Sequence, residues 1–139
     1  MKRLPLLLLL SALTLAGCHD KPSCEVTIGD ARCTLSPNTD ARLVGLASVG
    51  GHAYLSGGHR GVVVIRTGLY DFVAFERTCP CDNNSRVELS QDWTGLLECP
   101  TCHSCFDPLN YGYPFDGSAT PCPLYQYSTR YDGGLLYIY

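Results

Sequence analysis

Thr78-Cys79-Pro80-Cys81 and Cys99-Pro100-Thr101-Cys102-His103-Ser104-Cys105-Phe106, separated by seventeen residues, decide how this chain is read. Each segment places two cysteines two or three positions apart beside a proline. Thiolate sulfurs at that spacing can point at one ion, and four of them complete a tetrahedral shell. The first pair is CxC rather than CxxC, so the match to a zinc ribbon is only approximate. The alternatives are disulfides linking loop to loop, or a redox-active Cys99–Cys102 pair. A bridge within Cys79-Pro80-Cys81 would be strained.

The flanking residues frame these loops as a hairpin. Phe72-Val73-Ala74-Phe75-Glu76 reads as a strand running into Cys79. Asp82 to Ser85 is a turn, Arg86 to Leu89 a strand, Gln91 to Gly95 a turn, and Leu96 to Glu98 a strand. Antiparallel strands bring their outer ends together, so one cysteine pair falls at each root. Upstream, Leu43 to Val49 and His52 to Leu55 read as short strands around Gly50-Gly51. Val62 to Arg66, β-branched over four residues, predicts a strand buried on both faces. Leu124 to Tyr127 and Leu135 to Tyr139 are closing strands, the second following a turn at Asp132-Gly133-Gly134. No helix is expected. Fourteen glycines, nine prolines and nine tyrosines suit short strands and turns.

At 139 residues the chain accommodates one domain, and a net charge of −3 gives no basic face for nucleic acid. Its nine cysteines point to an oxidising compartment, a metal, or both. Lys2-Arg3, the apolar run Leu4 to Leu15 and Leu15-Ala16-Gly17-Cys18 have the form of a lipoprotein signal. Residues 1–17 would be removed and Cys18 lipidated, leaving a protein held at the bacterial cell envelope, periplasmic or surface-facing. The apolar run is short for a membrane span. Residues 18–42 read as a tether with a candidate hairpin, Cys24 to Cys33 around Gly29-Asp30. A Cys24–Cys33 disulfide across it would contribute ~2–3 kcal/mol; two free thiols are the alternative.

The cysteine segments resemble the ligand loops of Rieske iron–sulfur domains, one of form Cys-x-His and one of form Cys-Pro-x-His-Gly-Ser-x-Phe. Ser104 and Phe106 keep the second frame, and Gly117 to Tyr127 resembles the family's proline segment with one residue more. Cys81 and Cys102 stand where the histidines would be, and His103 replaces the glycine. The resemblance implies an all-β fold over residues 43–139. Its antiparallel sheets would be stacked, with a small two-loop metal-binding subdomain at about 78–127. It also implies a metal site of Cys79, Cys81, Cys99 and Cys102, with His103 as the alternative ligand. Some family members tie the second ligand loop to a neighbour, which here implies Cys105–Cys122; two buried thiols are the alternative.

By the same resemblance the cofactor is a 2Fe-2S cluster. Four thiolates around two ferric ions and two sulfides leave a charge of −2, which sets a potential nearer about −400 mV than Rieske values. Lys2-Arg3 is not a twin-arginine signal, so export would proceed unfolded, a route that favours zinc. The expectation is electron transfer with an envelope redox partner, the alternative a structural or interaction module with zinc or no metal. No catalytic triad, phosphate loop or isolated acidic pair stands out, and no enzymatic activity is expected.

Overall fold

The computed structural model describes residues 23–139. The signal segment 1–17 and Cys18 lie outside them. Eleven short strands form three antiparallel sheets. The central sheet orders β2 (His52–Leu55), β3 (Val62–Arg66), β4 (Phe72–Glu76) and β9 (Gln126–Tyr127). A second orders β1 (Cys33–Leu35), β11 (Leu135–Ile138) and β10 (Thr129–Asp132). The third is a small meander of β5 (Glu88–Leu89), β6 (Leu97–Glu98), β7 (Cys105–Asp107) and β8 (Tyr113–Pro114).

β3 is buried along its whole length, as its unbroken β-branched run dictates. Val62 and Val64 face the core shared with Phe72, Leu136 and Ile138, while Val63 and Ile65 face Phe75, Val87, Leu97 and Phe106. The central sheet is thus the middle layer. One of its faces packs on the β1–β11–β10 sheet, and the other on the meander that carries the cysteine loops. The closing hairpin pairs Asp132 with Leu135. Gly133 (φ 58°) and Gly134 (φ 82°) make the two-residue turn, which needs positive φ at both positions.

Several expectations are corrected. Leu43 to Val49 is not a strand, because Ala41–Leu46 forms a 3-10 helical stretch that buries Leu43 and Leu46. A second such turn covers Pro108–Asn110, so the structure is not wholly free of helical turns. The apolar residues of 43–49 are too irregularly spaced for strand alternation. Buried Arg66 holds the stretch in place by donating to the Leu46 and Ala47 carbonyls at 3.0 and 3.1 Å.

Residues ahead of 43 also pack into the sheets. Ala31 lies in the core, and β1 pairs Cys33 with Ile138. Gly29 lies against Gly58, where a side chain on either residue would collide with backbone or with Glu76.

The candidate hairpin over Cys24 to Cys33 does not form either. Cys24 is bonded instead to Cys122, 98 residues away, which excludes both the Cys24–Cys33 and the Cys105–Cys122 pairings. Residues 24–32 run along the domain rather than folding back on themselves. Cys33 and Cys105 remain free thiols.

Candidate metal centre

The two cysteine loops are built alike. In the first, the Cys79 N–H donates to Ser85 O (2.8 Å), and the Asn83 N–H donates to Cys79 O (2.8 Å). In the second, the Cys99 N–H donates to Ser104 O (3.0 Å), and the His103 N–H donates to Cys99 O (2.9 Å). Each loop is therefore closed by the residue four positions after its first cysteine. Both closing residues are left-handed, Asn83 at φ 52° and His103 at φ 59°. Asn and His are among the non-glycine residues that tolerate this region, which explains how His103 stands where the sequence frame has glycine.

The turns face each other. Ser85 Oγ and Thr101 Oγ1 are hydrogen-bonded across the gap (2.7 Å), and the Ser85 hydroxyl donates to the Asp82 carboxylate. Cys79, Cys99 and Cys102 present three sulfurs that all lie within 4.8 Å of one another. Cys79 Sγ and Cys102 Sγ, from opposite loops, are 3.7 Å apart. Cys81 stands at the exposed rim with its thiol facing Cys102, outside the tight group of three. The depth is graded: Cys79 and Cys99 are fully buried, Cys102 partly, and Cys81 not at all. Behind the buried pair, Val87, Leu97, Phe106 and Leu124 close the site to water.

Burial pushes the Cys79 thiol well up, and the neighbouring sulfurs of Cys99 and Cys102 add to it. Burial would push Cys102 up as well. Hydrogen bonds from the Ser104 hydroxyl and backbone N–H, and then from the Cys99 and Cys79 thiols, outweigh it and bring Cys102 down to about 7. Ser104 is buried, and its Oγ stands 3.2 Å from Cys102 Sγ. That oxygen also accepts the Ala119 N–H (3.0 Å), and its own proton is donated to the sulfur once Cys102 is a thiolate. Ser118 Oγ brackets Cys105 through its N–H (3.1 Å) and carbonyl (3.0 Å). The segment from Gly117 to Leu124 thus forms a third wall, tied to the N-terminal residues by Cys24–Cys122.

His103 is not brought to the sulfurs. Its ring is largely exposed and reaches Glu98 at 3.4 Å, apart from the three close sulfurs. Cys105 lies beyond the group and is pushed up by burial and by the charges of Glu98 and Asp92.

One functional element was not singled out from the sequence. Glu76, fully buried at the end of β4, accepts the backbone N–H groups of His59 (2.7 Å), Arg60 (2.9 Å) and Thr78 (3.1 Å). The hydroxyls of Thr78 (2.9 Å) and Tyr127 (2.8 Å) donate to it too. The carboxylate fixes the residue next to Cys79 against two other chain segments. Burial alone would raise its pKa, but this ring of donors holds it below the ordinary value. An acidic residue ending an otherwise apolar strand, directly before the first cysteine loop, was the signal available in the sequence.

Thiolate donors on two facing loops suit a soft or borderline metal. A Zn–S bond of about 2.3 Å gives a tetrahedral edge of about 3.8 Å, so the 3.7 Å between Cys79 and Cys102 fits one ion as it stands. Fold and site together define a layered all-β domain with a thiol cluster on two hydrogen-bonded loops. No family model matches the chain, and no curated protein matches it. Among solved structures it is similar to the ferredoxin of carbazole 1,9a-dioxygenase from Nocardioides aromaticivorans IC177. That likeness has a TM-score of 0.46 and 20% identity, over 66% of this chain and 86% of the other. The likeness is one of outline, and the metal site rests on the thiols themselves.

Proposed function

We propose that this chain is an electron-transfer domain of the cell envelope, with an iron–sulfur centre held by Cys79, Cys81, Cys99 and Cys102. The observation that carries the metal reading is the convergence of three thiols from two loops that the chain fastens together. A 2Fe-2S cluster would take one buried and one outer cysteine from each loop, the depth grading the four residues show. When bound, such a cluster supplies a one-electron couple. The chain's own residues bind and orient it. Glu76 and Thr78 hold the first loop, Ser104 and Ala119 hold the second, and the apolar wall excludes water from Cys79 and Cys99. Cys81 and Cys102 leave the outer edge accessible, as a redox partner requires. Lipidation at Cys18 would keep the domain at the membrane.

A second reading has its own observation. The 3.7 Å between Cys79 and Cys102 suits a single tetrahedral ion, and a two-iron cluster would require Cys102 to withdraw from Cys79. With zinc the domain would be a structural or interaction module. Optical spectra separate the two: a cluster gives a red-brown protein that bleaches on reduction, whereas zinc leaves it colourless. Fractionation of a Cys18→Ala variant tests the anchor. Release from the membrane fraction supports it, and retention after processing excludes it.

A further inference from the structure

Three of the seven arginines among residues 23–139 line one cleft of about 440 Å³, away from the thiol cluster. Arg60 and His59 come from the Gly57–Gly61 turn, Arg77 from the end of β4, and Arg86 from the residue bridged to Thr78. No carboxylate lines the cleft. Arg77 is anchored: its Nε donates to Val87 O (2.8 Å), and its guanidinium lies 4.0 Å over the Tyr54 ring. Glu88 reaches Arg77 at 3.4 Å from the solvent side.

The other two cations are less well served. Arg86 has no side-chain hydrogen bond or ion pair among the described residues, and it stands close enough to Arg77 for the two charges to repel. Arg60 is hydrogen-bonded to Asn84 through one terminal nitrogen. Its Nε is buried with no partner, the one such side-chain atom among the described residues. Buried donors are nearly always satisfied, so this one leaves the Arg60 guanidinium short of a partner at the cleft wall.

Glu88 offsets only the Arg77 charge, from the solvent side, and gathering the Arg60 and Arg86 guanidinium groups beside it is unfavourable by itself. An anion removes that cost, and the guanidinium fork matches tetrahedral phosphate oxygens in pairs. Gly57, Gly58 and Gly61 line the same cleft and leave its wall bare of side chains. We propose that the Arg60–Arg77–Arg86 cleft binds a phosphate oxyanion, either free phosphate or the headgroup of an anionic phospholipid. The site does not depend on the metal reading.

The test uses the mature chain from residue 18 carrying Cys18→Ala, so that neither a lipid nor the apolar segment before it contributes. In one arm inorganic phosphate is titrated and followed by calorimetry. In the other, retention on phosphatidylglycerol vesicles is compared with retention on phosphatidylcholine vesicles. Saturable phosphate binding that weakens at least tenfold in Arg86→Gln identifies a free-anion site. A phosphatidylglycerol preference abolished by Arg86→Gln, with weak free phosphate binding, identifies a headgroup site. Arg130→Gln, on β10 outside the cleft, should change neither. Arg86→Gln removes no intramolecular partner, so unchanged near-UV circular dichroism is expected and the test survives if Arg60→Gln fails to fold. Absence of binding in both arms, or binding that Arg86→Gln leaves intact, overturns the site.

Discussion

Cys79 Sγ lies 3.7 Å from Cys102 Sγ although they are 23 positions apart in the chain, and no disulfide joins them. Two polar braces, Glu76 behind the first loop and Ser104 behind the second, set that distance. The loops converge because the hairpin between them is antiparallel, pairing Glu88 with Glu98 and Leu89 with Leu97.

Cys102 should ionise more readily than Cys79 and Cys81 in metal-free, reduced protein. Its pKa is brought down to about 7, so alkylation at Cys102 should rise with pH to a half-maximum near neutrality. Cys105, pushed up, should respond only at more alkaline pH. Ser104→Ala should move the Cys102 profile upward by removing the hydroxyl proton aimed at the sulfur. Peptide mapping after timed alkylation reads this directly, and an unchanged profile in Ser104→Ala would contradict the assignment.

Glu76→Gln should destabilise the fold by about 2–3 kcal/mol, because an amide cannot accept from all the donors that surround the carboxylate. The Glu76 pKa is depressed in the folded state, so its stabilisation is present in full above the ordinary value of 4.5. It is lost as pH falls below that value through the folded pKa. Urea unfolding of the wild type should therefore weaken below that value, and the Gln variant should lose this part of the pH dependence. Parallel curves for the two proteins between pH 3 and pH 7 would refute the role.

The Cys24–Cys122 bond closes a loop of nearly the whole domain. Removing it with Cys24→Ser should cost about 2–4 kcal/mol, read from denaturant midpoints. Non-reducing peptide mapping should recover the Cys24 and Cys122 peptides as one species. Recovery of a Cys24–Cys33 peptide would reverse the connectivity.

The layered β architecture was legible because β3 carries branched residues throughout and β4 runs directly into Cys79. The convergence of Cys79, Cys99 and Cys102 was legible because cysteines at short spacing fall at the two roots of a hairpin. The disulfide was not, since pairing over 98 residues depends on how the N-terminal segment lies along the finished fold. Ala41–Leu46 was misread for a similar reason: Arg66, from another strand, supplies the donors that stabilise it. Where the ring of His103, the alternative ligand, would lie was not legible, because it follows from a left-handed backbone that places it beside Glu98.

Substituting Cys81→His together with Cys102→His should recreate the ligand set that the sequence frame implies. If both proteins take up a cluster on anaerobic reconstitution with iron and sulfide, the variant's potential should lie higher by some hundreds of millivolts, on the order of the gap between plant-type and Rieske centres. It should also become pH-dependent, because imidazole ligands can lose a proton. Equal potentials in the two proteins would show that these positions are not ligands.

The central claim is that the two loops hold metal, and the most direct measurement is metal and acid-labile sulfide content after native, anaerobic purification. For the wild type the account predicts two irons and two sulfides per chain, falling to background in Cys79→Ser and Cys99→Ser variants that remain folded. One zinc per chain without sulfide would replace electron transfer by the structural reading. Absence of any metal, or metal retained in both variants, would contradict the claim that Cys79, Cys81, Cys99 and Cys102 form a metal centre.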